Sequence, residues 1–225
     1  MGTERETTAV IFAGGDAPAP GSLTSLVASV GPGVVLVAAD SGLRHALAAG
    51  LVVDVVVGDL DSVDPNDLDA AVAAGSRVER HPADKDATDL ELALVTARDL
   101  GAHRIVVVGA GGGRLDHFLA NALLLAAPEF ADLEIEARVG TAVATVVRDA
   151  TEFTGTPGEL VSLLPLGGPA RAVRTHGLRW ALHGEDLLPG TSRGVSNEFD
   201  APTARVALTD GVLLVVRPDA IPEQP

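Results

Sequence analysis

Val55-Val56-Val57-Gly58-Asp59-Leu60-Asp61-Ser62 passes from a β-branched run, through a glycine, to two carboxylates at spacing i, i+2. Read as a buried strand leaving its sheet at Gly58, the stretch presents Asp59 and Asp61 at the strand's carboxyl end. Side chains two apart in an extended segment project from one face, so both acids can meet one hard cation. A polar turn closing the strand accounts for the same residues, because Asp and Gly are common in turns. The neighbourhood decides between these readings.

Similar transitions recur on either side. Ala9–Ala13 ends in Gly14-Gly15-Asp16, Val34–Ala38 in Ala39-Asp40-Ser41-Gly42, and Arg104–Val108 in Gly109-Ala110-Gly111-Gly112-Gly113. Weaker strand candidates are Arg77–Glu79, followed by His81-Pro82-Ala83-Asp84-Lys85-Asp86, and Leu133–Val139. Helical patterns lie between them at Ser22–Val30, Leu43–Ala49, Asp64–Gly75, Thr88–Leu100 and Leu115–Ala126. Asp64-Pro65 supplies an N-cap followed by proline at the first helical position. Leu115–Ala126 is apolar nearly all round, which predicts a well-buried helix. Apolar strands alternating with helices indicate a parallel sheet covered on both faces. Ligands of such sheets bind outside the carboxyl ends of the strands. Asp40, Asp59, Asp61, the Asp84–Asp89 stretch and the Gly109–Gly113 loop therefore converge on one rim, which favours a site over a turn.

From about Gly140 the helical period disappears. Strand-like segments follow at Ala142–Val147, Leu160–Leu164, Ala170–Thr175, Trp180–His183, Arg205–Leu208 and Val212–Arg217, with a hairpin-like Thr209-Asp210-Gly211. Such spacing predicts an antiparallel β unit. The expected fold class is thus α/β. An N-terminal parallel-sheet domain (1–139) with helices on both faces precedes a smaller C-terminal antiparallel β-sandwich (140–225).

The chain of 225 residues carries 16 basic against 31 acidic residues, a formal net charge of −15. That balance opposes binding to nucleic acid or anionic lipid. There is no cysteine, which excludes disulfides and thiol catalysis and fits a reducing compartment. No run is long and apolar enough to span a bilayer, and the first residues lack a signal-peptide core. The expectation is a cytoplasmic protein with neither membrane nor nucleic-acid partners.

Thr88-Asp89-Leu90-Glu91 fits a capping box, with Thr88 as N-cap and Glu91 reaching back. Asp89 in that first turn is instead read as a ligand. Gly109–Gly113 with Arg114 departs from the dinucleotide fingerprint, and no Walker A motif occurs. The loop is either a flexible turn or a backbone cradle for phosphate at a helix N-terminus, with Arg114 as cation and Asp116 as a further carboxylate. Lys85 is a phosphate partner or a solvated cation. Trp180 alone reads as an anchor, and Ser196-Asn197-Glu198 as a turn. His81, His117 and His183 show no metal spacing.

Taken in order, Ala39–Gly42, Gly58–Ser62, Lys85–Glu91, Gly112–His117, Gly177–Trp180 and Gly194–Phe199 resemble the thiamine pyrophosphokinase family. The resemblance implies transfer of pyrophosphate from ATP to the hydroxyl of thiamine, giving thiamine diphosphate and AMP. It implies Mg²⁺ held by Asp59, Asp61 and Asp89, with catalytic roles for these three and Asp116. Asp40, Ser41, Lys85, Thr88, Gly111, Gly112, Gly113 and Arg114 match positions around the nucleotide phosphates. Trp180, Ser196 and Asn197 match those that frame thiamine. A homodimer with active sites at the subunit interface is implied as well. Ser41 departs from the family pattern, which often has glycine there. The rival readings are a hydroxymethylpterin pyrophosphokinase and a non-catalytic nucleotide- or thiamine-binding regulator. The chemistry agrees with the resemblance: phosphoryl transfer needs charge neutralisation more than a covalent nucleophile, and an indole face suits a cationic thiazolium.

Overall fold

The apolar runs of the first half become strands at the positions their sequence indicates. The computed structural model describes residues 7–112 and 114–222. In chain order the first elements are β1 (Thr7–Phe12), α1 (Pro20–Val30), β2 (Val35–Ala39), α2 (Leu43–Ala48), β3 (Val55–Gly58), α3 (Pro65–Ala73) and β4 (Arg77–Arg80). Next come α4 (Asp89–Asp99), β5 (Ala102–Val108), α5 (Leu115–Leu125) and β6 (Glu134–Val139). The remainder is strand: β7 (Ala142–Val147), β8 (Ala150–Thr154), β9 (Leu160–Pro165), β10 (Ala170–His176), β11 (His183–Leu187), β12 (Asn197–Glu198), β13 (Thr203–Ala207) and β14 (Leu213–Arg217). Two compact units result. One holds the described residues through Asn121 together with Ala137–Gly140; the other holds Ala122–Glu136 and the described residues from Thr141 onward.

In the first unit the strands pair in parallel in the order β5-β1-β2-β3-β4. Val10 and Phe12 of β1, Leu36 and Ala38 of β2, Val56 of β3, and Val106 and Val108 of β5 bury one face of that sheet. They pack against Leu23 and Leu26 of α1, Leu43 and Ala46 of α2, and Ala71 of α3. Alternation along each strand turns Ala9, Ile11, Val37, Val55 and Val107 to the opposite face, where α4 packs across β1, β2, β3 and β5. The sheet is therefore covered on both faces, as its unbroken apolar strands require. Both expected helix starts are capped: Asp64 accepts from the Asn66 amide, and Thr88 Oγ1 accepts from the Glu91 amide.

The second unit is a sandwich of two antiparallel sheets. One runs β12-β9-β14-β7 and the other β11-β10-β13-β8. Its core draws on both, including Val147, Phe153, Leu163, Val173, Leu187, Val206 and Leu213.

Several local expectations fail. Helix α5 is exposed along most of its length: Leu115, Phe118, Leu119 and Leu123 face outward and only Leu125 is buried. Apolar composition predicts that a surface needs covering, but not that its own chain covers it. Trp180–His183 is not a strand; β11 begins only at His183. Thr209-Asp210-Gly211 does not close a hairpin either. β13 pairs with β10 and β8, while β14 pairs with β7 and β9. The turn carries the chain from one sheet of the sandwich to the other. The short β8 and β12 had no signal strong enough to separate them from loops.

Candidate active site

The order of the parallel sheet reverses at β1, which lies between β2 and β5. A crevice opens where such an order reverses, and here the segments after β1 and β5 flank it. They are zipped together. The amides of Ala13, Gly15 and Asp16 donate to the carbonyls of Val108, Gly109 and Gly111 at 2.8, 2.9 and 2.7 Å. Gly111 and Gly112 are needed for close approaches within the chain. A Cβ on Gly111 would meet Val139 Cγ1 at 2.4 Å, and one on Gly112 (φ +93°) would meet Asp16 Oδ2 at 2.1 Å. Gly113 lies outside the described residues.

Beside this crevice, β2 and β3 deliver the carboxylates. Gly58 ends β3 with φ at +145°; a Cβ there would lie 2.9 Å from Asp89 Oδ1 and 3.2 Å from Asp40 Cβ. The glycine of the opening motif thus makes room for acids arriving from β2 and from the start of α4. Asp40 takes a left-handed conformation, φ 47°, at the first position of a single 3-10 turn, Asp40–Gly42. Gly14 has no side chain where Ser41 Oγ sits, since a Cβ there would lie 2.3 Å from it.

Oxygens of Asp40, Asp59 and Asp61 lie within 4.8 Å of one another. An octahedral Mg²⁺ with ligands at about 2.0–2.1 Å places opposite oxygens about 4.2 Å apart. The three carboxylates are near enough to share such an ion once their side chains draw together slightly, with room for water and phosphate oxygens to complete its shell. Asp40 Oδ1 supports the same fit: it is buried and has no hydrogen-bond partner. Burial raises the Asp40 pKa, and the charges of Asp89, Asp59 and Asp61 add to this, against a hydrogen bond from the Ser41 amide. Asp59 is shifted down, by the Asp61 amide donating to its Oδ1 and by Lys85.

Asp89, expected among the metal ligands, is held differently. Lys85 Nζ donates to Asp89 Oδ1 at 2.8 Å and to Asp59 Oδ2 at 3.4 Å. Burial pulls the Lys85 pKa down, but Asp89 and Asp59 outweigh it and leave it raised. Asp40 groups with Asp59 and Asp61, and Asp89 stands beside them, joined to Asp59 through Lys85.

Arg114 and Asp116 form an exposed two-pronged pair, with bonds of 3.1 and 2.6 Å. Arg114 holds the Asp116 carboxyl down at about 2. Asp116 is not part of the three-carboxylate group among the described residues. Thr88 is occupied as the cap of α4.

Sequence reasoning missed two residues. Arg44 Nη2 donates to Gly14 O and His45 Nε2 bonds Gly15 O, each at 2.8 Å. A carbonyl oxygen can only accept, so the His45 ring donates from Nε2, and burial lowers its pKa. Together they hold the loop after β1 from its α2 side. Nothing in the sequence marks them, because a basic pair in an alanine-rich helix reads as solvated.

In the second unit Trp180 is 53 % exposed and Asn197 4 %. Asn197 Oδ1 accepts from the Trp180 and Glu198 amides, and its Nδ2 donates to the Trp180 carbonyl. The amide side chain is thus used in fixing the tryptophan's backbone. Arg179 lies over the indole at 4.9 Å and pairs with Glu198 at 2.7 Å. Ser196 has φ 56°, and its amide donates to Ser162 Oγ.

Comparison with known families decides the relationship. The profile described as thiamin pyrophosphokinase, catalytic domain, matches residues 33–137, and that described as thiamin pyrophosphokinase, vitamin B1 binding domain, matches residues 149–213. The chain belongs to the thiamin pyrophosphokinase family. It is 25 % identical over 188 residues to thiamine pyrophosphokinase of Bacillus subtilis (strain 168), covering 79 % of this chain and 84 % of that one. It is 27 % identical over 164 residues to thiamine pyrophosphokinase 1 of Oryza sativa subsp. japonica; that match covers 68 % of this chain but only 61 % of the rice protein. Among solved structures, thiamin pyrophosphokinase from Geobacillus thermodenitrificans superposes with a TM-score of 0.77 at 27 % identity, covering 94 % of this chain and 96 % of that one. The family's catalytic-domain match holds the three-carboxylate group; its B1-binding match holds Trp180, Ser196 and Asn197.

Proposed function

We propose that this protein is a thiamine pyrophosphokinase, moving the pyrophosphoryl group of ATP to the hydroxyl of thiamine and releasing AMP. The observation that carries the reading is the Asp40, Asp59 and Asp61 group at the carboxyl ends of β2 and β3, inside a match to the family's catalytic domain. Mg²⁺ is the proposed ion. Asp40, Asp59 and Asp61 would hold it and Asp89 would stand beside it; when bound, it neutralises charge on the transferring phosphoryl oxygens.

The chain's own residues do the rest. Gly58 sets the carboxylates side by side, and Arg44 and His45 fix the loop after β1. Lys85, Ser41, Gly111, Gly112 and Arg114 are the groups proposed to meet the phosphate oxygens. Trp180 is half exposed and carries the Arg179 guanidinium over one part of its ring, so the indole suits a cationic ring that shares or replaces that contact, its backbone held by Asn197.

Incubation with ATP, Mg²⁺ and thiamine should yield AMP and thiamine diphosphate. AMP formed only with a hydroxymethylpterin would replace thiamine as acceptor, and no AMP with either would leave a binding protein. Asp59→Asn and Asp61→Asn should each abolish turnover while leaving the circular dichroism spectrum unchanged.

A homodimer is part of the proposal, supported by the exposed leucine and phenylalanine face of α5. Sedimentation should give a dimer at assay concentration and a monomer for Leu119→Glu. A wild-type monomer overturns it. A cytoplasmic location completes the reading and agrees with a chain free of cysteine.

A further inference from the structure

Each carboxylate near Gly58 differs in what already occupies it. Asp59 uses both oxygens: Oδ1 takes the Asp61 amide at 3.2 Å and Oδ2 takes Lys85 Nζ at 3.4 Å. Asp89 Oδ1 takes the same ammonium at 2.8 Å. Asp61 Oδ1 accepts from Ser62 Oγ at 2.9 Å. Asp40 Oδ1 alone among the buried side-chain oxygens described is unpartnered. One ammonium therefore bridges Asp59 and Asp89. Its side chain is only 14 % exposed, so it belongs to the site and is not a surface lysine brushing past.

A compact ammonium with three donors on a flexible stem is well suited to change partners. It sits in the loop between β4 and α4, four residues before the acid it grips. Polyphosphate concentrates more charge than a carboxylate pair and offers that ammonium more acceptors. A divalent cation approaching without nucleotide meets the opposite situation. It faces a like charge bonded to one of the ligands, with both Asp59 oxygens and Asp61 Oδ1 already engaged.

We propose that Lys85 is a built-in counter-cation that keeps divalent metal off these carboxylates until a polyphosphate draws the ammonium away. Metal and nucleotide then load together, and the nucleotide-free protein is a poor metal binder by construction. The proposal rests on the metal-dependent reading given above.

The test uses Mn²⁺ as the probe, followed by its electron paramagnetic resonance signal on the nucleotide-free, full-length protein. Lys85→Met removes the charge at similar length and should tighten Mn²⁺ binding by about tenfold or more, as expected for losing a like charge at contact range. Lys85→Arg keeps the charge and should stay near wild type, which separates charge from altered packing. Adding α,β-methylene-ATP should strengthen Mn²⁺ binding far more in wild type than in Lys85→Met. Unchanged or weaker Mn²⁺ binding in folded Lys85→Met overturns the proposal while leaving the catalytic reading intact. If wild type makes AMP from ATP and thiamine and Asp59→Asn binds Mn²⁺ as tightly as Lys85→Met, the ion lies elsewhere and the proposal falls with the assigned metal site. Loss of AMP formation in wild type itself strikes the proposed function instead.

Discussion

Gly58→Ala separates two demands that the fold makes on one residue. With φ at +145°, alanine is strained there whatever the space, and residues held in such regions cost about 1–3 kcal/mol. The new methyl would also lie 2.9 Å from Asp89 Oδ1 and 3.2 Å from Asp40 Cβ. Asp89 can yield, because the contact is at the far end of its side chain. Asp40 Cβ sits next to the backbone and cannot move without taking its carboxylate along.

Gly75 is the control: its φ is +104° and a Cβ would meet nothing within 4 Å. Urea unfolding with an unchanged slope should show both variants destabilised by strain. Only Gly58→Ala should lose turnover, by roughly 10- to 100-fold, as shifts of an ångström or less at a reacting centre do. Wild-type turnover in Gly58→Ala refutes the crowding argument. Wild-type stability in Gly75→Ala refutes the strain argument.

Asp40→Asn should raise thermal stability at neutral pH while abolishing turnover. The folded pKa of Asp40 lies above its ordinary 3.8, so stability falls as pH rises from 3.8 through the folded value, and the amide escapes that loss. In Arg114→Ala, the Asp116 carboxyl should titrate by NMR well above about 2, moving toward its ordinary 3.8 while the His117 amide still holds it somewhat down. The pair's contribution is present above pH 3.8 and lost as pH falls toward 2, and it should fade with salt. Asn197→Ala leaves the Trp180 and Glu198 amides without their acceptor and should cost about 1–3 kcal/mol. Trp180 is the only tryptophan, so the accompanying change is readable as a shift in its fluorescence.

Local chemistry was legible in the sequence. Asp64 and Thr88 cap their helices because an N-cap needs only the next few residues. The parallel unit could be placed because four of its five strands, all but the polar edge strand β4, announce themselves with a run of valine, isoleucine or alanine. What escaped depends on partners far along the chain. The convergence of Asp40 with Asp59 and Asp61 was read from their strand ends, but not the left-handed backbone that seats Asp40, nor the reach of Lys85 to both Asp59 and Asp89. Asn197 looked like an ordinary turn residue, yet it grips Trp180 from 17 residues away. Helix α5 shows the converse: its composition was read correctly, and its burial was not.

The sheet-switching turn at Thr209-Asp210-Gly211 bears on the order of assembly. It delivers β14, residues 213–217, to a place between β7 and β9. Synthesis proceeds from the N-terminus, and all five parallel strands are complete by Val108, so that unit can condense early. The sandwich must wait for a strand that pairs with residues some seventy positions behind it, the kind of distant closure that slows folding. Until β14 arrives, β7 and β9 each present an unpaired edge, and that interval is when the nascent chain is most exposed to misassembly.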